Sequence, residues 1–214
     1  MTIRLVFNQP LRLSNLHIVL FKTAIHLLAI GFVVNMLYLT ITDTIAGDPV
    51  DALLHFSGIG GLNLLLLSLL ITPVARLAKA SALLRVRRLL GLYAFFYAAL
   101  HLSTFILFEL QLEWRLILTE IINRPFITVG FFAWAVLLLL TLTSTKTIQR
   151  KMGRRWQSLH NMVYLAAPLV VIHFYWSVKS EVIEPIIYAV VLSTVLWLRR
   201  DKLRKWLPMR WKKM

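Results

Sequence analysis

The chain has 214 residues, of which 59% are hydrophobic and 15% are charged. A soluble globular protein could not cover so much apolar surface with so few polar side chains, so the composition predicts an integral membrane protein. There is no cysteine, which excludes disulfides, covalently attached c-type haem and cysteine-ligated iron–sulfur clusters. Any bound metal must therefore be held by histidine or carboxylate side chains.

Six apolar segments approach the roughly 20 residues that a helix needs to cross a bilayer. They predict an all-α bundle of six transmembrane helices over residues 16–198, with a cytoplasmic segment at 1–15 and a basic cytoplasmic tail at 199–214. The predicted helices lie near residues 16–42, 52–72, 88–110, 125–144, 158–177 and 182–198. The last two are short and close together. No soluble module and no clear internal repeat is evident, so we expect a single transmembrane domain, residues 1–214.

The formal net charge of +15 is distributed unevenly. With a cytoplasmic N-terminus, 21 of the 24 Lys and Arg residues fall on the cytoplasmic side, and eight of the nine acidic residues fall on the other side. The exceptions among the basic residues are Arg115, Arg124 and Lys179. This positive-inside pattern predicts a bacterial inner-membrane protein with both termini in the cytoplasm. Topology and anionic lipid headgroups explain the basic loops, and nucleic-acid binding is not indicated.

Histidines are the main candidates for chemistry, because an ionisable residue inside a membrane span is a functional-site candidate by default. His17 is predicted at the cytoplasmic interface as a structural residue. His26, in the inner half of the first helix, is predicted to hydrogen-bond to a neighbouring helix. For His55, near the outer end of the second helix, structural and functional interpretations are both open.

His101 and His173 form the strongest candidate pair. They lie in the runs YAALHLSTF and VVIHFYWSV, and counting along the helices places them at similar depth. Two imidazoles facing each other inside a bundle could ligate one haem iron from both sides. His160 lies about 20 Å nearer the cytoplasm than His173. On an ideal helix these two would face nearly opposite ways, unless Pro168 kinks or rewinds the helix between them.

Arg87 lies almost on the same helix face as His101, about 3.9 turns before it. Together with Arg88 it could clamp an anion, such as a flavin phosphate or haem propionates, by charge-assisted hydrogen bonds. The alternative is an ordinary positive-inside loop.

Four stretches of the sequence carry a family resemblance: ITPVARLAKASALLRVRRLLGLYAFFYAALHLSTF, RPFITVGFFAW, TSTKTIQRKMGRRWQSLHNMVYL and IHFYWSVK. From about residue 20 to 200 the chain resembles the haem-binding membrane subunits of the bacterial periplasmic methionine sulfoxide reductase system, in the ferric-reductase-like transmembrane superfamily. The resemblance implies b-type haem and FMN as cofactors. It also implies electron transfer from the quinone pool or a cytoplasmic flavin reductase to a periplasmic molybdopterin methionine sulfoxide reductase. The chain itself would then be a non-catalytic electron-transfer subunit.

By the same resemblance, His101, His160 and His173 are haem-associated residues, and Arg87 with Arg88 is a flavin-associated pair. Oxidase members of the superfamily carry two histidines on each of two helices, whereas the third helix here carries one. The ligands of an inner haem therefore stay open, and His55 stays open as an addition to the outer site. Two other functions remain alternatives, a diheme quinol-oxidising cytochrome b and a cofactor-free permease.

Overall fold

The computed structural model describes residues 13–178 and 181–206, and these residues form helices joined by turns, with no strand. The helices are α1 Asn15–Ile41, α2 Pro49–Leu77, α3 Leu84–Thr104, α4 Trp114–Asn123, α5 Pro125–Leu142, α6 Lys146–Met152, α7 Arg154–His160, α8 Val163–Ser177, α9 Ile183–Leu198 and α10 Arg200–Trp206. A 3-10 turn, Ser81–Leu83, precedes α3, and a π-helical turn, Phe105–Glu109, continues it. Arg4, Arg12 and Lys179, which the sequence assigns to sides of the membrane, lie outside the described residues.

All six predicted segments are helical, and the prediction of an all-α membrane protein is confirmed. Five of the described segments are long and apolar enough to cross a membrane: Asn15–Ile41, Pro49–Leu77, Ser81–Glu109, Pro125–Leu142 and Arg154–Ser177. The sixth, α9, is apolar but has only 16 residues, about 24 Å of helix. The chain is therefore a multi-pass membrane protein whose last apolar helix is short, as the sequence indicated.

Local sequence signals explain where several helices begin. The Asp48 side chain accepts a hydrogen bond from the backbone N–H of Val50, and a proline follows it at the first turn of α2, where the missing N–H costs nothing. At the start of α1, the hydroxyl of Ser14 accepts from the N–H of His17, and Nδ1 of His17 accepts from the N–H of Ser14. This reciprocal cap gives His17 the structural role that its interfacial position indicated.

The chain divides into two compact units, Met1–Leu118 and Thr119–Met214. In the first unit α2 and α3 pack along their lengths and α1 lies against α3. In the second unit α8 packs against both α5 and α9. Each unit thus contains one main helix pair, α2–α3 or α5–α8, and the single transmembrane domain of the sequence analysis remains a prediction.

Helix α1 is attached to the first unit by few contacts. Only Ile18 and Ala29 of its residues are buried, so most of its apolar surface faces outward, as expected of a helix surrounded by lipid. The Tyr97 hydroxyl donates to the backbone carbonyl of Ala29 at 2.7 Å. Nδ1 of His26 lies 2.6 Å from the Tyr93 hydroxyl, which confirms the predicted hydrogen bond from His26 to a neighbouring helix.

Candidate functional site

His101 lies on α3 with its ring against the backbone of α2. Its Nδ1 is 2.9 Å from the carbonyl oxygen of Leu54. One turn further along α2 is Gly58, where an added Cβ would lie 3.2 Å from the same nitrogen. The absence of a side chain at Gly58 therefore lets the imidazole approach the helix closely enough to reach the carbonyl.

His173 has the same arrangement in the second unit, on α8 against α5. Its Nδ1 lies 2.7 Å from the carbonyl oxygen of Phe126. At Gly130, one turn along α5, an added Cβ would lie 2.6 Å from Nδ1 and 2.8 Å from Cε1 of the ring. The approach is closer than at His101, so this site tolerates no side chain at Gly130 unless the ring moves.

Both hydrogen bonds determine the tautomer of the neutral ring. A backbone carbonyl only accepts, so Nδ1 of each histidine carries the proton and the lone pair lies on Nε2. Metal-binding histidines are held in this way, with one ring N–H donating to a carbonyl or carboxylate while the other nitrogen binds the metal. The geometry of His101 and of His173 therefore suits ligation through Nε2.

The two sites share the same residue spacing. In each, the carbonyl residue lies 47 positions before the histidine and four before the glycine, so equivalent residues are 72 positions apart. The same offset pairs Ala94 with Ala166, and both are fully buried between their helices. The sequence alone shows no clear repeat, because the equivalence rests on isolated positions. The corresponding residues are Leu54 and Phe126, Gly58 and Gly130, and His101 and His173.

His160 has a different environment. It is the last residue of α7, its Nε2 lies 3.2 Å from the hydroxyl of Thr143, and its ring stacks on Trp156 with centroids 3.9 Å apart. The indole N–H of Trp156 donates to the carbonyl of Thr143 at 2.9 Å. Arg88 lies 72 positions before His160 in the first unit.

The helix that was predicted over 158–177 is interrupted directly after His160. The N–H of Met162 donates to Leu159, and the N–H of Leu165 donates to Met162, both at 2.9 Å. These tighter bonds mark the turn between α7 and α8. The interruption lies six residues before Pro168, which is inside α8.

The basic pair lies in the first turns of α3. Arg88 is exposed and Arg87 is half-buried. The neighbouring Arg85 donates to the side-chain oxygen of Asn15 at 2.7 Å, which ties it to α1. A helix N-terminus favours anions, so the positions of Arg87 and Arg88 suit binding of a negative group. His55 is exposed on α2, and its part in the outer site stays a prediction.

No cluster of three or more His, Asp or Glu side chains that could hold a metal ion occurs within 13–178 and 181–206. A b-type haem needs only axial ligands from the protein.

Comparison with known proteins identifies the family. The family model described as the ferric reductase like transmembrane component matches residues 57–171, more than half of the chain. The protein-methionine-sulfoxide reductase heme-binding subunit MsrQ of Salmonella arizonae is 43% identical over 197 residues, covering 92% of this chain and 99% of that protein. The chain belongs to the MsrQ group of the ferric-reductase-like transmembrane family.

Two further relatives carry the same printed name. The proteins of Salmonella paratyphi B and Salmonella newport are each 49% identical over 163 residues, covering 76% of this chain and 82% of the relative. The matched residues 57–171 include Gly58, His101, Gly130 and His160 but end just before His173. Family membership confirms the resemblance seen in the sequence.

Proposed function

We propose that this chain is the haem b subunit that carries electrons across the membrane for a methionine sulfoxide reductase. The observation that supports it best is the pair of matching histidine sites. In each of them a backbone carbonyl accepts a hydrogen bond from Nδ1, and a glycine leaves room for the imidazole ring. The printed names of the relatives agree with it, since they describe heme-binding subunits of such a reductase.

In this proposal His101 and His173 would hold the iron of one haem through Nε2. These residues fit a haem, because each imidazole has the required tautomer. The glycine beside each imidazole leaves space for the ring, which a Cβ would displace. Haem supplies one-electron chemistry when bound, and the protein determines its position, ligation and surroundings. Fixing both rings from the backbone would hold the ligands ready in either oxidation state of the iron.

The inner layer holds FMN in the proposal, with Arg87 and Arg88 binding its phosphate by charge-assisted hydrogen bonds. The exposed position of Arg88 at the start of α3 supports this. His160 lies in the inner layer of the second unit and is either a flavin neighbour or a ligand of a second haem. The contact of its Nε2 with Thr143 would have to open for it to bind iron.

The proposed path runs from a membrane quinol or a cytoplasmic flavin reductase, through the inner layer and the haem, to a periplasmic molybdopterin methionine sulfoxide reductase. The protein would lie in the bacterial inner membrane with both termini in the cytoplasm. Six of the acidic residues that the sequence places on the far side would steer a partner with a complementary basic surface. They are Asp43, Asp48, Asp51, Glu109, Glu113 and Glu120.

Absorbance of the purified protein tests the proposal. We expect an oxidised Soret band and, after dithionite reduction, the sharp bands of a low-spin b-type haem. A protein without a Soret band would contradict the proposal and favour the permease. Haem content per chain separates the remaining alternative, because a diheme quinol-oxidising cytochrome must contain two bis-histidine haems.

A further inference from the structure

His26 lies deep in the membrane span of α1. It is about 16 Å from Asn15 and about 22 Å from Ile41 along the helix axis, at 1.5 Å per residue. A hydrocarbon core of about 30 Å centred on this helix would leave the imidazole about 10 Å or more from either edge. The side chain of histidine is too short to reach water across that distance.

One nitrogen of His26 is bound and the other faces outward. Nδ1 lies 2.6 Å from the hydroxyl of Tyr93, and the two rings meet edge to face with centroids 5.4 Å apart. The His26 side chain is exposed on the surface of the helix pair. Within the part of the chain that the structure describes, no group hydrogen-bonds to Nε2 of His26.

Such a nitrogen is costly in hydrocarbon, where an unsatisfied polar group costs several kcal/mol. Acyl chains have no polar group at this depth. A molecule that dissolves in the membrane and carries a hydroxyl or carbonyl group on a compact head would satisfy this nitrogen.

The Tyr93 hydroxyl allows the pair to bind either a donor or an acceptor. When Nδ1–H donates to the Tyr93 oxygen, Nε2 has the lone pair and accepts from a ligand hydroxyl. When the Tyr93 hydroxyl donates to Nδ1, Nε2 carries the proton and donates to a ligand carbonyl. A quinol has the hydroxyl groups and its quinone has the carbonyl groups, so the pair can bind either form.

Beside the pair, the ring of Phe96 packs edge to face on Tyr93 with centroids 6.1 Å apart, and Phe96 is 41% exposed. It therefore offers an aromatic surface on which a planar ring could pack.

We propose that His26 and Tyr93 form the head-group site of a lipid-soluble quinol that enters sideways from the bilayer. The inference rests on the proposed function, since the quinol is then the electron donor. Oxidation of one quinol to its quinone releases two electrons, which a bound haem would accept one at a time, and two protons, each of which Nε2 of His26 would accept from the ligand hydroxyl before it passes to water. Tyr93 is on the same helix as His101, about 12 Å from it along the axis.

Photolabelling tests the site directly, without relying on the haem. The protein in lipid nanodiscs is illuminated with an azido-quinone, and the labelled peptides are mapped by mass spectrometry. We expect label on α1 and α3 near His26 and Tyr93, removed by competing decylubiquinol. His26→Phe and Tyr93→Phe should each lower the labelling about tenfold, the effect of losing one hydrogen bond in apolar surroundings. Tyr93→Phe keeps the aromatic ring, so its effect isolates the hydroxyl.

His17→Gln is the matched control, because glutamine retains the reciprocal cap at the start of α1 while a histidine of the same helix is removed. Its labelling should equal that of the unchanged protein. In haem-loaded samples, reduction by decylubiquinol should slow about tenfold in His26→Phe, while dithionite still reduces all the haem. Uniform labelling of the exposed helices, or labelling that survives both substitutions, would overturn the inference whether or not haem is bound. Absence of haem from the unchanged protein would instead contradict the proposed function.

Discussion

At the scale of single residues, the approach of each candidate ligand to a neighbouring helix depends on a glycine. An alanine Cβ at Gly130 would lie 2.6 Å from Nδ1 of His173, whereas at Gly58 it would lie 3.2 Å from Nδ1 of His101. A contact of 2.6 Å forces the ring to move, and a contact of 3.2 Å needs a shift of a few tenths of an ångström. The two glycines therefore differ in how strictly they are required.

We predict that Gly130→Ala abolishes the low-spin haem spectrum or most of the haem content, and that Gly58→Ala has a smaller effect of the same kind. Both follow from displacement of an axial imidazole from its carbonyl. Gly91→Ala on α3 is the control, since nothing lies within 4 Å of its added Cβ, and alanine favours a helix over glycine by about 1 kcal/mol. Haem content and absorbance measure all three. Equal spectra for Gly130→Ala and Gly91→Ala would show that the close contact between Gly130 and the ring of His173 does not position a ligand.

We predict that the double substitution Arg87→Gln with Arg88→Gln lowers the flavin content several-fold and leaves the haem spectrum intact. Glutamine keeps hydrogen bonding but removes the charge that holds a phosphate. Arg150→Gln with Lys151→Gln removes the same charge from an exposed segment that we predict to be cytoplasmic, and it should leave flavin unchanged. Fluorescence of flavin released from equal amounts of protein measures the effect, and equal flavin in both double variants would rule out the phosphate role.

The sequence predicts His101 and His173 as candidate ligands because an ionisable side chain inside a membrane span is costly and usually functional. It does not predict the carbonyls of Leu54 and Phe126 or the two glycines. Those contacts join positions more than 40 residues apart. A local hydrophobic pattern does not indicate which helix backbone a histidine ring will contact. His26 shows the same limit, because the sequence predicts a hydrogen bond to another helix but not that Tyr93 provides it.

At the scale of elements, α4 is one of three described helices, with α6 and α10, that the hydropathy pattern did not predict. It has ten residues, about 15 Å of helix, which is too short to cross a bilayer. Its large exposed side chains Trp114, Leu118 and Ile122 recur every four residues and form one stripe, while Asn123 and Thr119 lie on another face. This is the pattern of a helix lying in the membrane surface.

We predict that labels on the apolar stripe of α4 contact lipid and labels on its polar face contact water. The chain has no cysteine, so Leu118→Cys and Ile122→Cys each give one spin-labelling site, and Thr119→Cys and Asn123→Cys are the controls on the same helix. Labels at the first two sites should be relaxed more by oxygen, and those at the second two more by a water-soluble nickel complex. Four sites with the same ratio would contradict an interfacial helix.

Helix existence is well predicted where the apolar run is long, and interruptions are predicted poorly. The cap at Asp48 and the proline after it mark the start of α2, so local chemistry is sufficient there. The break after His160 has no glycine or proline of its own, and its cap residue is Asn161, a residue type of low helix propensity.

At the scale of the whole molecule, the distribution of charge determines the predicted orientation. The excess of lysine and arginine in alternate segments predicts that both termini are cytoplasmic. A C-terminal fusion to green fluorescent protein should be fluorescent, and a C-terminal fusion to alkaline phosphatase should be inactive. The reverse result would place the C-terminus in the periplasm and reverse the proposed direction of electron flow.

The two histidine sites match in their local geometry. Each unit supplies one histidine whose Nδ1 is held by a backbone carbonyl. Replacing either histidine should then have the same result, because each removes one of two equivalent axial bonds.

Low-temperature electron paramagnetic resonance of the oxidised protein tests this account most directly, because it reports the axial ligands of the iron. The unchanged protein should give a low-spin bis-imidazole signal. His101→Ala and His173→Ala should each lose that signal, through high-spin iron or loss of haem, while His17→Gln retains it in full and His160→Ala changes only an inner site. An unchanged bis-imidazole signal with full haem content in both His101→Ala and His173→Ala would show that this pair does not ligate the haem.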